Sequence, residues 1–154
     1  MSDIIYLPHL LTMNASENQV ASIEFLTQSR DSLLYLQHLT LTKNKLTALP
    51  SIPQPRLSRL LLNENEIASC ATFGGHPSLT YLDLSKNKLT SVAGIVNMPK
   101  LQHLDISENE LTEVKGGLNG LTSLRKLILA KNKIASLESF GSFPALSHLV
   151  LTEN

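Results

Sequence analysis

The chain has 154 residues, and its 13 basic and 13 acidic side chains cancel to a formal net charge of zero. A neutral chain lacks the positive surface by which proteins bind nucleic acid or an anionic membrane, so we predict neither partner. No apolar run approaches the about 18 residues that a membrane-spanning helix needs. The single cysteine, Cys70, cannot form an intramolecular disulfide, which favours a reducing, cytoplasmic compartment.

A spacing pattern begins near the N-terminus and continues to the last residue. Residues 10–20 form a weak first copy of the frame L-x-x-L-x-L-x-x-N-x-L, and a last, incomplete copy occupies residues 146–154. Between them lie five full copies, at residues 36–46, 57–67, 79–89, 101–111 and 124–134. Seven copies in register predict seven stacked coils of one repeated unit.

Each copy predicts one short strand followed by a turn. In LTYLDLS, Leu82 and Leu84 point to one side and Tyr81, Asp83 and Ser85 to the other, because side chains alternate along a strand. The asparagine that follows has two donors and one acceptor for turn backbone groups of its own and adjacent coils. The predicted asparagine ladder consists of Asn18, Asn44, Asn65, Asn87, Asn109, Asn132 and Asn154.

These features resemble the leucine-rich-repeat family, in particular its short intracellular subclass with about 22 residues per coil. The resemblance implies an α/β solenoid, a right-handed coil with a parallel β-sheet on its concave side and short 3₁₀ or irregular convex segments. The first two ladder asparagines are 26 residues apart, which predicts a longer convex excursion with a helical turn within residues 24–36. The family is a non-enzymatic binding architecture, so other proteins are the implied partners.

The domain is predicted to be a single leucine-rich-repeat unit over residues 1–154. A stack of coils has to cover its terminal core with polar groups. Residues 1–9 are too apolar to be a good N-terminal cap, and the last copy stops at its asparagine. We therefore expect a fragment of a longer protein, with the rest of the parent chain or a partner covering the ends. The N-terminus has an acidic residue before its apolar run and does not resemble a signal peptide.

Charges alternate from coil to coil on the predicted turns. A series of like charges about 5 Å apart would repel, whereas alternation gives every residue neighbours of opposite sign. We therefore interpret the alternation as a feature of stacking, not as a binding site. The first charged series is Glu17, Lys43, Glu64, Lys86, Glu108, Lys131 and Glu153. The second, two residues further along, is Lys45, Glu66, Lys88, Glu110 and Lys133.

Two rows of outward strand residues form the predicted partner-binding face. The aromatic row is Thr12, His38, Arg59, Tyr81, His103, Lys126 and His148. The mixed row is Asn14, Thr40, Leu61, Asp83, Asp105, Ile128 and Val150. Packing does not require apolar side chains at outward positions, and interfaces favour tyrosine and arginine beside such anchors. The predicted contact residues are Arg59, Leu61, Tyr81, Asp83, His103, Asp105, Lys126, Ile128, His148 and Val150.

The histidines do not predict a metal site. His38, His103 and His148 share one repeat position, but strands about 4.8 Å apart place His103 about 14 Å from His38 and about 10 Å from His148. His9 and His76 have no partner visible in the sequence. We predict no metal and no cofactor.

No catalytic motif is present, and the chain is predicted not to be an enzyme. Asp83 and Asp105 lie on an open sheet without an enclosed pocket that could tune them for acid–base work. Cys70 falls five residues after a ladder asparagine, a position predicted to lie in the core. The residues at this position are Ile23, Leu49, Cys70, Val92, Val114 and Leu137.

The stretch YLPHLLTMNASENQVAS at residues 6–22, with residues 76–89 and 98–111, is similar to leucine-rich-repeat proteins of the radial spoke in motile cilia and flagella. This resemblance implies a scaffold in a large cytoskeletal assembly such as the axoneme, using the concave face and the open ends. The alternative is a regulatory or targeting subunit that docks on an enzyme such as a serine/threonine phosphatase. The mixed charge of the predicted face favours the scaffold.

Overall fold

The computed structural model describes residues 6–28, 32–138 and 140–154. Seven three-residue strands form one parallel sheet whose order follows the chain from β1 to β7. They are β1 (Thr12–Asn14), β2 (His38–Thr40), β3 (Arg59–Leu61), β4 (Tyr81–Asp83), β5 (His103–Asp105), β6 (Lys126–Ile128) and β7 (His148–Val150). One strand per repeat confirms the predicted coil of seven repeats. Residues 1–5 of the predicted N-terminal cap lie outside the described residues.

The core is one continuous column of leucines inside the coils. Leu82, the central residue of β4, is fully buried, while its neighbours Tyr81 and Asp83 point outward and are half-buried. The same pattern recurs in β5 and β6. At the edge of the sheet Leu149 is 39% exposed, because β7 pairs only with β6. Burial at the same repeat position therefore depends on having a coil on both sides.

The asparagine ladder joins each coil to its neighbours. Asn87 Nδ2 donates to the carbonyls of Leu84 in its own coil and Leu62 in the preceding coil, both at 3.0 Å. Its Oδ1 accepts from the amide of Ile67 at 2.9 Å. The predicted bonding to the asparagine's own and adjacent coils is thereby confirmed. The five inner members are buried and the end members exposed: Asn44, Asn65, Asn87, Asn109 and Asn132, against Asn18 and Asn154.

The convex side consists mainly of turns and irregular segments. The longer second coil contains the predicted helical turn, α1 (Phe25–Gln28), and residues 29–31 lie outside the described residues. In the described part of the chain, no helix is long and apolar enough to cross a bilayer. The core prediction was wrong for Leu137, which is 44% exposed, because the last convex segment packs on one neighbouring coil alone. The other five residues at this position are buried.

The stacked turns place opposite charges next to one another on neighbouring coils, as predicted from the sequence. Every member of the first charged series has a φ between 54° and 58°, in the left-handed region that side chains other than glycine rarely adopt. Five ion pairs connect the charged series across coils within the described residues. They are Lys43–Glu17, Lys45–Glu66, Lys86–Glu64, Lys88–Glu66 and Lys133–Glu110, at 2.7 to 3.8 Å. Their side chains are well exposed, so each pair contributes little to stability.

His76, for which no partner is visible in the sequence, is a buried, hydrogen-bonded side chain of the convex layer. The residue is 3% exposed. The amide of Ser78 donates to His76 Nδ1 at 3.2 Å, so the proton lies on Nε2, which donates to the carbonyl of Gln54 at 3.0 Å. Burial lowers the pKa of His76 below its ordinary value of 6.5, against the opposing effect of the Gln54 carbonyl.

We expect the free energy of unfolding to decrease as the pH falls below 6.5, in part because of His76. A histidine with a lowered folded-state pKa binds its proton more readily when unfolded, so acid stabilises the unfolded chain. Protonated Nδ1 also cannot accept from Ser78. Urea unfolding from about pH 8 to about pH 5 should show a smaller decrease for His76→Gln than for the unchanged chain.

His103 also has a lowered pKa, so a decrease should remain in the His76→Gln variant. The variant loses hydrogen bonds at every pH, and the comparison is therefore between slopes, not absolute stabilities. Equal slopes for the two proteins would show that His76 does not contribute.

Candidate protein-binding surface

The sheet brings the predicted contact residues together in two straight rows. In the aromatic row Arg59 faces Tyr81, Tyr81 faces His103, and His103 faces Lys126 as Cα partners on successive strands. The mixed row runs parallel to it, with the corresponding partners Leu61, Asp83, Asp105 and Ile128. Eight predicted residues therefore occupy four adjacent strands, β3 to β6. His148 and Val150 continue the rows on the edge strand β7.

Three side chains of the aromatic row stack on one another. The rings of Tyr81 and His103 lie 4.3 Å apart between centroids and are nearly parallel, with an interplanar angle of 12°. On the other face of the tyrosine, Arg59 Cζ lies 3.8 Å from the ring centroid. A cation over an aromatic face contributes about 0.5–1 kcal/mol at an exposed site. The stack fixes three large side chains before any partner arrives.

Burial in the stack shifts the acid–base properties of both rings. The pKa of Tyr81 is raised, mainly by burial and also by the Asp83 carboxylate, so its hydroxyl keeps its proton near neutral pH. The pKa of His103 is lowered, mainly by burial and also by the charge of Lys126, so its imidazole is neutral at pH 7. Both rings can therefore donate and accept hydrogen bonds without carrying charge.

The two aspartates of the mixed row are held by local turns. Asp83 Oδ1 accepts from the amide and the hydroxyl of Ser85, at 2.9 and 2.7 Å. Asp105 Oδ1 makes the same two bonds with Ser107, at 2.9 and 2.6 Å. The sequence did not reveal this role, although the aspartate–x–serine spacing was a signal for it. Each carboxylate is thereby fixed in position on the face.

The apolar members of the mixed row are only partly covered. Leu61, Ile128 and Val150 are half-buried at outward strand positions, as predicted. His148 is exposed, and its Nδ1 lies 2.9 Å from the hydroxyl of Ser147. The row beyond the mixed row carries small side chains such as Ser85 and Ser107, which leave room for a partner close to the sheet.

A family model described as leucine rich repeat matches residues 55–111 and 93–134, together 80 of the 154 residues. The chain belongs to the leucine-rich-repeat family. Leucine-rich-repeat proteins serve as protein–protein interaction scaffolds and are typically not enzymes. A comparison with curated proteins found no match.

Among solved structures, an internalin from Listeria monocytogenes has the same fold, with a TM-score of 0.64 and 20% sequence identity. The alignment covers 92% of this leucine-rich-repeat chain and 48% of the internalin chain. The chain thus spans about half the length of the structure that it matches. At this identity the similarity supports the fold, and the partner has to be inferred from the surface.

A second exposed apolar cluster lies at the N-terminal end of this leucine-rich-repeat coil and was not predicted as a surface. Its members are Tyr6, Leu7, Leu11, Leu34 and Tyr35, which are 38 to 73% exposed. Arg56 Cζ lies 4.3 Å from the Tyr35 ring centroid. The signal available in the sequence was the position of these residues, which fall off the leucine frame or in the long second coil.

The residues considered for chemistry have structural positions in this repeat protein. Cys70 is 1% exposed, and burial raises the pKa of its thiol to about 12, which removes it as a nucleophile at neutral pH. Across residues 6–28, 32–138 and 140–154, no group of three or more histidine, cysteine, aspartate or glutamate side chains is placed to hold a metal ion.

Proposed function

We propose that this leucine-rich-repeat domain binds another protein through the concave face of strands β3 to β6. The observation that supports this most is the ordered stack of Arg59, Tyr81 and His103 beside the partly exposed Leu61 and Ile128. Tyrosine and arginine are enriched among the residues that dominate binding energy. Side chains already held in one arrangement lose less entropy on binding, which favours affinity.

We further propose that the protein is a non-enzymatic scaffold in a large cytoplasmic assembly, with the axonemal radial spoke as the specific candidate. The similarity of residues 6–22 to radial-spoke proteins supports this placement. The exposed apolar cluster at the N-terminal end supports it too, since a scaffold uses several surfaces. A subunit that docks on a phosphatase would be expected to concentrate acidic or aromatic residues on the face. Here the charges are mixed, because Arg59 and Lys126 flank the aromatic pair and Asp83 and Asp105 lie beside it. This mixed charge favours the scaffold.

The variant Tyr81→Ala/His103→Ala tests the face directly. It removes both rings of the stack, and we expect about tenfold weaker capture of partner proteins from the native cell. Quantitative mass spectrometry of proteins retained by the immobilised domain measures the change. The identity of the proteins lost distinguishes axonemal components from a phosphatase.

A matched control is Lys86→Ala/Glu108→Ala, which truncates two long side chains on the turns of the same two coils. These residues belong to the first charged series and lie outside both rows. The control should retain its partners, and circular dichroism should show both variants folded. If the Tyr81→Ala/His103→Ala protein captures the same partners as the unchanged domain, the binding surface lies elsewhere.

A further inference from the structure

We propose that the face binds an extended peptide segment with the pattern apolar–acidic–basic–acidic–apolar, whose central basic side chain lies between Asp83 and Asp105. This inference rests on the proposed function, because it specifies the partner chemistry of the same surface. Three properties of the two rows support it. Two adjacent carboxylates have no ion-pair partner within the described residues, apolar side chains lie at equal distances on either side of them, and a cation lies at each end of the stack.

The negative charges of the mixed row are not needed by the fold. Asp83 and Asp105 are Cα partners on adjacent strands, where like charges repel. Their turn bonds require an acceptor oxygen but no charge, since Asn14 makes the same bonds to the amide and hydroxyl of Ser16, at 3.0 and 2.6 Å. Within the described residues, all five ion pairs lie on the charged turns and none includes either aspartate. A cation supplied by a partner would balance this pair.

Apolar groups stand at equal distances on both sides of the carboxylates. Leu61 precedes Asp83 and Ile128 follows Asp105 along the row, one strand away in each case. With strands about 4.8 Å apart, each apolar residue lies about 7 Å from the midpoint of the pair and about 14 Å from the other. The row therefore reads apolar, acidic, apolar at intervals of about 7 Å.

An extended peptide that runs across the strands matches these intervals. It advances about 3.4 Å per residue, so side chains two residues apart are about 6.8 Å apart on the same side. Residues one, three and five would then meet Leu61, the carboxylate pair and Ile128. In a helix, side chains four residues apart share a face but are only about 6 Å apart, so over the two intervals they reach about 12 Å and fall short of the about 14 Å between Leu61 and Ile128. The spacing thus favours an extended partner.

The aromatic row determines the two remaining positions of the peptide. If residues one, three and five point toward the mixed row, residues two and four point toward the aromatic row. There they meet the stack between its cationic ends, Arg59 and Lys126. Since the rings of Tyr81 and His103 are uncharged near neutral pH, these ends carry the local charge. Acidic side chains at positions two and four complement them.

A synthetic peptide with the core Leu-Glu-Arg-Glu-Leu, extended by glycine–serine flanks and a fluorophore, tests the inference by fluorescence anisotropy. The variant Asp83→Asn/Asp105→Asn removes both charges and keeps the acceptor oxygens that Asn14 shows to be sufficient. We expect the peptide to bind this variant about tenfold more weakly than the unchanged domain. A peptide with glutamate in place of the central arginine should bind the unchanged domain about tenfold more weakly.

The control is Glu108→Gln/Glu110→Gln, which removes two negative charges from the turn of the β5 coil, outside both rows. It should bind the arginine peptide within about twofold of the unchanged domain. Equal binding of the arginine peptide to all three proteins, or no binding to any, overturns the inference. If the peptide fails while Tyr81→Ala/His103→Ala still loses cellular partners, the peptide pattern is wrong and the proposed function stands.

Discussion

Replacing Asn87 by alanine is expected to lower the free energy of unfolding by about 4 kcal/mol. The side chain is buried and bonds the carbonyls of Leu62 and Leu84 and the amide of Ile67. Its removal leaves the buried amide of Ile67 unpaired, which costs about 1–3 kcal/mol. It also removes one of the two donors from each carbonyl, at about 0.5–1.5 kcal/mol each, because Leu62 still accepts from Asn65 and Leu84 from Asn109. Urea denaturation followed by circular dichroism measures the loss.

The same substitution at Asn18 is the matched control, and we expect it to cost less than about 1 kcal/mol. Asn18 occupies the equivalent position in the first coil, but it is exposed and bonds only Ala15 and Ser16 of its own coil. The Ala15 carbonyl also accepts from Asn44 at 2.9 Å, and water can replace the remaining bonds. Similar losses for the two variants would show that the bonds between coils are not the source of ladder stability.

The repeat arrangement could be predicted from sequence because each coil encodes it again. The spacing of leucines and asparagines indicates where a strand and a turn fall, and seven copies remove the ambiguity of any one copy. The contacts between opposite charges on neighbouring coils were predictable for the same reason, since stacking places the same repeat position of every coil in one column. The same reasoning failed for Leu137, because burial depends on neighbouring coils and not on the repeat alone.

The geometry of the candidate site could be predicted from the sequence only in part. The sequence placed Arg59, Tyr81 and His103 in one row, but their stacking depends on rotamers that spacing does not determine. The hydrogen bonds of Asp83 could have been inferred from its spacing to Ser85. The partners of His76 could not, because they come from the backbone of two successive convex segments.

The asparagine ladder supports the strands that carry the aromatic row and the mixed row. Asn87 follows β4 and bonds to the coil that carries β3, so it links the strands that present Tyr81 and Arg59. Each strand has only three residues and makes few sheet hydrogen bonds, so its register depends on the buried asparagines and leucines behind it. Substitutions in the asparagine ladder are therefore expected to weaken binding indirectly, by destabilising the fold. For this reason the variants that test binding replace surface residues alone.

The convex side provides the second large expected effect, at Gly75. A Cβ built on this residue would overlap the carbonyl oxygen of Val96 in the next coil. Gly94 makes the reciprocal approach, since its Cβ would overlap the carbonyl oxygen of Cys70. Both contacts join the coil of β3 to the coil of β4, and backbone atoms on each side leave no flexible group to move aside.

We expect Gly75→Ala to lower the free energy of unfolding by about 3 kcal/mol or more, and Gly74→Ala by about 1 kcal/mol. Both glycines have a positive φ, 88° and 69°, so both variants incur backbone strain. Only Gly75 lies against a neighbouring coil, because a Cβ on Gly74 would have no atom within 4 Å. The difference between the variants in urea denaturation thus isolates the contact between coils. Equal losses would mean that the convex segments separate at little cost and do not hold the strands of the binding face together.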